Sequence, residues 1–529
     1  MRSAFKYLSP ILMCAFLVME GIAQCPDRPT AGTILKDGLS LKSANGVLKA
    51  GLILRHSVDT GGYTHYCLNY KTATGDVESP TLRLNPGDTL MLDVTNRIVV
   101  GDMESEDDMA SMAGTPGKKC GDSGAMTISS TNVHFHGLNV PPVCHQDDVL
   151  TTLIQPGGAT FPFKIQIPKN EPPGLYWYHP HIHGFTEFQV NGGAAGAIVV
   201  EGMQKVRPEV TGLKERVFVL RQQYLVPWIP GPYQLTLNYQ LASFPTFPAP
   251  IIKMKPNEKQ FWRVANASLQ DFMPLQVVFD GKLQPLQLIA LDGYPLAKPR
   301  TEDTILLPPA SRAEFIVQAP ASATTDAVFQ TDAYSTGPTG NADFFQVLGK
   351  IDVSKGDDVV EENTKSTEPT RPITMQSIKY SGLSEQKANT QRKLYFSEEF
   401  GGTNGPIQFY ITVDGQKEKV FEGNEKPVIT TKVGAVEDWT IENRALETHA
   451  FHMHQIHFLV MEVDGVPVKN QDLRDTIEIP FWEGPGHPYH SVKVRMDFRD
   501  PTTAGTFVFH CHILLHEDLG MMHKILVKK

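Results

Sequence analysis

Three stretches of the chain repeat one frame, and a repeat this long limits the fold more than any other feature of the sequence. Residues 80–96 (PTLRLNPGDTLMLDVTN), 250–266 (PIIKMKPNEKQFWRVAN) and 427–443 (PVITTKVGAVEDWTIEN) each begin with proline. Seven residues on stands one tolerant of positive φ (Gly87, Asn257, Gly434). Twelve on comes a large apolar residue (Leu92, Trp262, Trp439), and sixteen on an asparagine (Asn96, Asn266, Asn443). The frame reads as strand, turn, strand. Successive copies start 170 and 177 residues apart, a spacing that suits three β-sandwich domains of one type better than a solenoid of short units. Frequent Pro and Gly, with many short runs of Val, Ile, Thr and Phe, make the chain all-β. Boundaries near 203 and 370 give domains 24–202, 203–370 and 371–529, the second falling in an acidic, Thr- and Pro-rich stretch at 356–372.

The chemistry is concentrated in histidine. Of 18 histidines, ten fall in four clusters: His134 and His136; His179 and His181; His449, His452 and His454; His510, His512 and His516. No histidine lies between His183 and His449, so the middle domain has no imidazole to offer a metal. In the last cluster, Cys511, His516 and Met521 are the soft ligand set of a blue-copper electron-transfer site, short of one histidine. His510 and His512 leave the strand on the face opposite Cys511 and must hold something else. A cysteine on one metal with its neighbours on a second cluster gives electrons a short covalent path between them. Each His-x-His pair is read as sending its two rings apart, so that four pairs bridge adjacent ions rather than chelate one.

The spacing His-Cys-His-x3-His-x4-Met resembles the C-terminal signature of the multicopper oxidases, the family of laccases, ascorbate oxidase, bilirubin oxidase and bacterial cuprous oxidases. The resemblance covers essentially the whole mature chain. It implies three Greek-key cupredoxin sandwiches and four copper ions. In its terms His449, Cys511, His516 and axial Met521 match the type 1 ligands, and His134 and His452 match type 2. His136, His179, His181, His454, His510 and His512 match the type 3 pair. It also implies proton-handling acids, since reducing dioxygen to water consumes protons. Glu517 matches the proton donor, and Asp147 or Asp148, with Asp147 preferred, the acid beside type 2, although Val149 stands where relatives have glycine. Asp475 resembles an acid near type 1 in bacterial cuprous oxidases, and electrons are expected to enter through a partly exposed ring edge of His449 or His516. The activity implied is one-electron oxidation of phenols or aromatic amines coupled to reduction of dioxygen to water. Cuprous or ferrous ion oxidation in copper tolerance is the alternative, and a non-catalytic copper-binding cupredoxin the minor one. His183 and His457 are read as packing beside the ligands.

Residues 1–23 open with Arg2 and Lys6, continue through an apolar run and end in small residues, the pattern of a cleaved secretory signal too short to span a membrane. The expected destination is secreted or periplasmic. A formal net charge of −10 argues against nucleic acid or anionic lipid as a partner. With Cys511 assigned to metal, Cys25, Cys67, Cys120 and Cys144 suit two disulfides in an oxidising compartment, with three pairings open. The acidic insertion at 99–126 carries Met103, Met109 and Met112, and is read as a loop or a weak metal-collecting segment. The working unit is expected to be a monomer.

Overall fold

The computed structural model describes residues 24–529 apart from 59–63, 100–119, 158–159, 224–233, 243–247, 325, 355–371, 402–406 and 424. The expected leader at 1–23, nearly all of the stretch at 356–372, and Met103, Met109 and Met112 of the insertion lie outside the described residues. Strands from 40 to 200 form two five-stranded sheets and a two-stranded ladder, those from 214 to 353 a second pair of sheets and those from 390 to 528 a third. Each pair encloses a common apolar core. In the first, Leu82, Tyr178 and Val200 meet Leu52, Leu92 and Phe163. Leu220, Trp262 and Phe315 meet Leu275, Phe329 and Ile351 in the second, and Phe396, Trp439 and Val494 meet Phe451, Phe509 and Ile525 in the third. Among the described residues no helix is long and apolar enough to cross a membrane.

The repeated frame is the step from one sheet of a sandwich to the other. Thr81–Leu84, Ile251–Met254 and Ile429–Lys432 lie in one sheet of their pair; Thr89–Asn96, Lys259–Ala267 and Val436–Asn443 lie in the other. Gly87, Asn257 and Gly434 turn the chain at φ of 92°, 60° and 94°. Leu92, Trp262 and Trp439 are fully buried. The closing asparagine has a physical reason in every copy, because its amide satisfies backbone where the sandwich ends. Asn96 Nδ2 donates to the carbonyls of Ser129 (2.8 Å) and Ile154 (2.9 Å), and its Oδ1 accepts from Ile98 N at 3.0 Å. Asn266 does the same with Asp271, Leu307 and Ser268, and Asn443 with Glu447, Ile479 and Ala445.

Two disulfides join Cys25 to Cys67 and Cys120 to Cys144, leaving Cys511 free and buried. The first two sandwiches meet through Leu175, Trp177 and Val199 packed on Val217, Ala265 and Ala310. This contact carries the strand Gly174–His179, and with it His179, against the middle sandwich.

Asn266→Leu keeps the size of the side chain but removes its bonds to the carbonyls of Asp271 and Leu307 and to Ser268 N, while Asp271 O keeps another donor, Ser268 Oγ. A buried group left without its partner costs about 1–3 kcal/mol, so denaturant unfolding of the variant should show a loss of roughly 2 kcal/mol or more. A loss below about 1 kcal/mol would mean that the asparagine is a packing residue only.

Candidate metal centre

Strand pairing gathers the four histidine clusters. His134–His136 pairs with Gly174–His179, setting His179 opposite His134. His449–Met453 pairs with Gly505–Cys511, setting His452 opposite His510 and Phe451 opposite Cys511. His449 and His452 stand three positions apart, so they leave opposite faces of their strand, while His452 and His454 share one. The pleat thus sends His449 with Cys511 to one site and His452 with His454, His510 and His512 to another. The rings of a pair do not part as the sequence reading has it. Residues two apart share a face, and the centroids of His134 and His136 are 5.3 Å apart.

The first site holds His449, Cys511 and His516. Cys511 Sγ lies 3.6 Å from His449 Nδ1 and 3.8 Å from His516 Nδ1. The short helix Leu514–Asp518 closes the loop between Cys511 and Met521, with Cys511 N donating to Met521 O and Met521 N to His516 O. Met521 is fully buried. Burial pushes the Cys511 thiol up, so the thiolate needs a cation beside it.

The second site is one connected set of eight buried imidazoles. His181, His454 and His510 bring ligand atoms within 4.8 Å of one another, as do His134, His452 and His454, and His134, His136 and His179. His454 Nε2 stands 3.1 Å from His510 Nε2. His134 stacks on His454 at 3.9 Å and His136 on His452 at 4.0 Å, and His512 lies 5.1 Å from His136. His134 and His454 each belong to two of these groups, so the rings form a single centre.

For four of the eight rings, His134, His179, His452 and His510, the outer nitrogen is anchored. Asp147 oxygens lie 3.0 Å from His134 Nδ1. His179 Nδ1 faces Pro180 O (2.7 Å), His452 Nδ1 faces Asp475 O (2.8 Å) and His510 Nδ1 faces Cys511 O (2.9 Å). The buried Nε2 atoms of His134, His179 and His452, and both ring nitrogens of His136 and His512, find no hydrogen-bond partner. Ligating histidines are held in this way, by the nitrogen turned away from the metal, so the residues present fit metal ions. Burial lowers every one of these imidazoles, with neighbouring rings adding to it for most: His179 to about 3, His510 to about 4 and His134, His136, His181, His452, His454 and His512 well below the ordinary value. They are neutral at pH 7, with lone pairs free to bind.

Carboxyls border both sites. Burial raises Asp147 to about 7, against hydrogen bonds from Phe135 N and Gln455. Glu517 Oε1 accepts from Thr186 Oγ1 (3.1 Å) and lies 3.4 Å from His181 Nε2; its Oε2 lies 3.3 Å from His510 Nδ1. Burial and then Asp518 push Glu517 well above its ordinary value. At the cysteine site, Glu398 Oε1 lies 3.3 Å from His449 Nε2 and Glu447 Oε2 lies 3.6 Å from His516 Nε2. Burial, and Glu398 beside it, raise Glu447 to about 9.

Models of the family described as "Multicopper oxidase" match residues 126–205, 213–343 and 401–529. The chain belongs to the multicopper oxidase family. Curated relatives include a "Multicopper oxidase mco" of Staphylococcus haemolyticus, 23% identical over 89% of this chain and 90% of its own. Another is a "Laccase" of Bacillus stratosphericus, 24% identical over 74% and 79%. Among solved structures, a multicopper oxidase from Campylobacter jejuni, titled a metallo-oxidase, has a TM-score of 0.65 at 22% identity, covering 95% of this chain and 96% of that one. McoA of Aquifex aeolicus has 0.66 at 17% identity, covering 94% and 99%.

Within this multicopper oxidase, two expectations need correction. Asp475 is not a donor-side acid. It is fully buried, held by Arg312 at 2.7 and 2.6 Å, with Oδ1 3.4 Å from His136 Nε2. The strand Thr476–Ile479 pairs His452 with Thr476, which puts Asp475 against the histidine centre instead. Burial works to raise its carboxyl, but the Arg312 guanidinium outweighs that and holds it at about 2. Nor do His449 and His516 expose a ring edge. Both are buried, His516 stacked on Phe409 at 4.0 Å, and their outer nitrogens face Glu398 and Glu447. Asp148 turns away and accepts from Thr151 N. His457 Nε2 lies 2.7 Å from Asp292 O, beside the ligands as expected.

Sequence reasoning missed Glu398, Glu447, Asp518 and Arg312. Glu447 precedes His449 by two residues and Asp518 follows Glu517, so each had a local signal. Glu398 and Arg312 arrive from distant strands and had none.

Eight depressed histidines set the acid behaviour of the copper-free protein. On unfolding each returns to its ordinary value of 6.5 and takes up a proton, so stability present above that pH is lost as pH falls toward 4. Asp147 and Glu517, with Asp271, Asp343, Glu447 and Asp518, are raised by burial and act in the opposite sense, but His183, His457, His516 and His523 are lowered by burial too and with the eight outnumber them. Urea unfolding of the copper-free protein should show stability falling below pH 6.5, by up to about 1.4 kcal/mol per pH unit for each histidine. Stability that rises on acidification would show that the rings are already protonated in the folded state.

Proposed function

We propose that this multicopper oxidase takes single electrons from a small-molecule donor at the Cys511 site and reduces dioxygen to water by four electrons at the eight-histidine centre. The observation that carries the reading is His510-Cys511-His512, one tripeptide whose thiol faces His449 and His516 while its two imidazoles complete the other centre. Four copper ions suit the ligands. One would be held by His449, Cys511, His516 and Met521, and one by His134 and His452. A pair would be held by His136, His179, His181, His454, His510 and His512. Bound copper supplies one-electron transfer and the activation of dioxygen. The chain supplies the protons, from Glu517 beside His181 and His510 and from Asp147 beside His134. The leader and the two disulfides support export, to the periplasm or beyond, and one chain carries both centres, which supports a monomer.

Phenols and aromatic amines are the leading donors, and relatives named laccases support them. Glu398 and Glu447 also favour a second reading, ferrous or cuprous ion, because carboxyl oxygens at the outer histidine nitrogens mark a place for a cation and as oxygen donors suit ferrous ion. The Campylobacter neighbour titled a metallo-oxidase supports it. Oxygen uptake by copper-loaded protein tests the function itself: no uptake with any phenol, aromatic diamine, Cu(I) or Fe(II) donor contradicts it.

Glu398→Gln separates the two donor readings, since Glu447 beside it already holds a proton at neutral pH. As the acceptor of the proton a phenol loses, Glu398 gives a fall of about tenfold or more in phenol kcat/KM and none with ferrocyanide, which has no proton to lose. As a cation ligand it gives a fall with Cu(I) and none with phenol. Equal loss on all three removes Glu398 from the donor side. Glu517→Gln should slow reoxidation by dioxygen at least tenfold in stopped flow while reduction of the blue site stays near normal. A defect confined to the reductive half contradicts its role.

A further inference from the structure

The middle sandwich offers no histidine, yet one of its side chains reaches the histidine centre. Arg312, on the strand Arg312–Gln318, is fully buried, and all five of its guanidinium N–H groups are used. Nε donates to Leu175 O (3.2 Å) on the strand that carries His179. Nη1 donates to Ala310 O (3.2 Å) and Asp475 Oδ1 (2.7 Å), and Nη2 to Asp292 O (2.9 Å) and Asp475 Oδ2 (2.6 Å). One planar group therefore binds all three sandwiches together at the point where the ligands meet.

What Arg312 holds is directly under two ligands. Asp475 O accepts from His452 Nδ1, and Asp475 Oδ1 lies 3.4 Å from His136 Nε2. Neither ring nitrogen of His136 has a hydrogen-bond partner, so its orientation rests on what packs against it: His452 stacked at 4.0 Å, Trp177 at 5.0 Å, the neighbouring rings of His134 and His512, and this carboxylate. The chain leaves room for the pair with Gly137, φ +85°, next to His136. A Cβ there would stand 2.4 Å from Arg312 Nη2 and 2.7 Å from Asp475 Oδ2.

We propose that Arg312 is a positioning residue for the copper centre, fixing the rings of His136 and His452 by clamping Asp475, and that this clamp is the middle sandwich's contribution to the site. Its role depends on the planar fork, since an ammonium is a point charge that cannot make two parallel bonds and three carbonyl bonds at once. The inference rests on the copper reading of the histidine centre. Wild-type protein that retains no copper there refutes that reading and leaves the clamp without an object.

Arg312→Lys and the double variant Arg312→Gln with Asp475→Asn test it. The first keeps the charge without the fork, and the second removes both members of the pair without leaving a buried charge. Copper per chain after dialysis against graded chelator is read together with the blue absorbance of the Cys511 site. Both variants should be blue, and should lose copper from the histidine centre at 10–100-fold lower chelator strength than wild type, the usual effect of removing the group that orients a ligand. Wild-type retention by either variant overturns the proposal. So does failure of both to give folded blue protein, because a purely structural residue, unlike a positioning one, takes the Cys511 site with it.

Discussion

The structure depends on the pleat of one strand end. Along Gly505–Cys511 and into His512, alternate side chains must leave opposite faces. Cys511 therefore points to His449 and His516, and His510 and His512 point to six other imidazoles. No rotamer change can put the three on one metal. The separation of two sites, and their covalent connection, both follow from residues i−1, i and i+1 on a strand. The partner strand obeys the same parity, with His449 on the cysteine side and His452 and His454 on the other.

The second centre is costly for the chain alone. Eight imidazoles buried together must stay neutral, and several nitrogens are left without partners. Their positions are held from behind by Asp147, Asp475 and backbone carbonyls, so they are fixed by the protein before any ion arrives. This is possible only where two sandwiches face one another, since four of the rings come from the first and four from the third. The middle sandwich sets that facing through apolar contact with the first and through Arg312 and Asp292, which engage Asp475 and Arg474 of the third.

Much of this was legible in the sequence because it is local. The repeated frame carried the turn, the buried apolar residue and the asparagine that ends each sandwich, and all three positions have the same physical cause in every copy. The ligands were legible because each His-x-His or His-Cys-His group lies within one strand or at its end. The neighbours that tune them were not. Glu398 meets His449, and Arg312 meets Asp475 across 163 residues, through tertiary packing with no spacing signal. Asp475 was placed at the wrong site because resemblance fixed its motif but not its face. Strand register against His452 decides that. The ring edges of His449 and His516 were read as exposed because nothing near them in sequence announces the carboxylates and Phe409 that cover them.

The central claim is that one chain stores electrons at two connected centres and delivers four of them to dioxygen. Anaerobic titration of copper-loaded protein with a one-electron donor, followed by one addition of dioxygen, measures this directly. The account predicts about four electron equivalents taken up per chain before donor accumulates. It also predicts that one dioxygen restores the blue band fully with no hydrogen peroxide released. Uptake of a single equivalent, or recovery of the blue colour with stoichiometric peroxide, would contradict it.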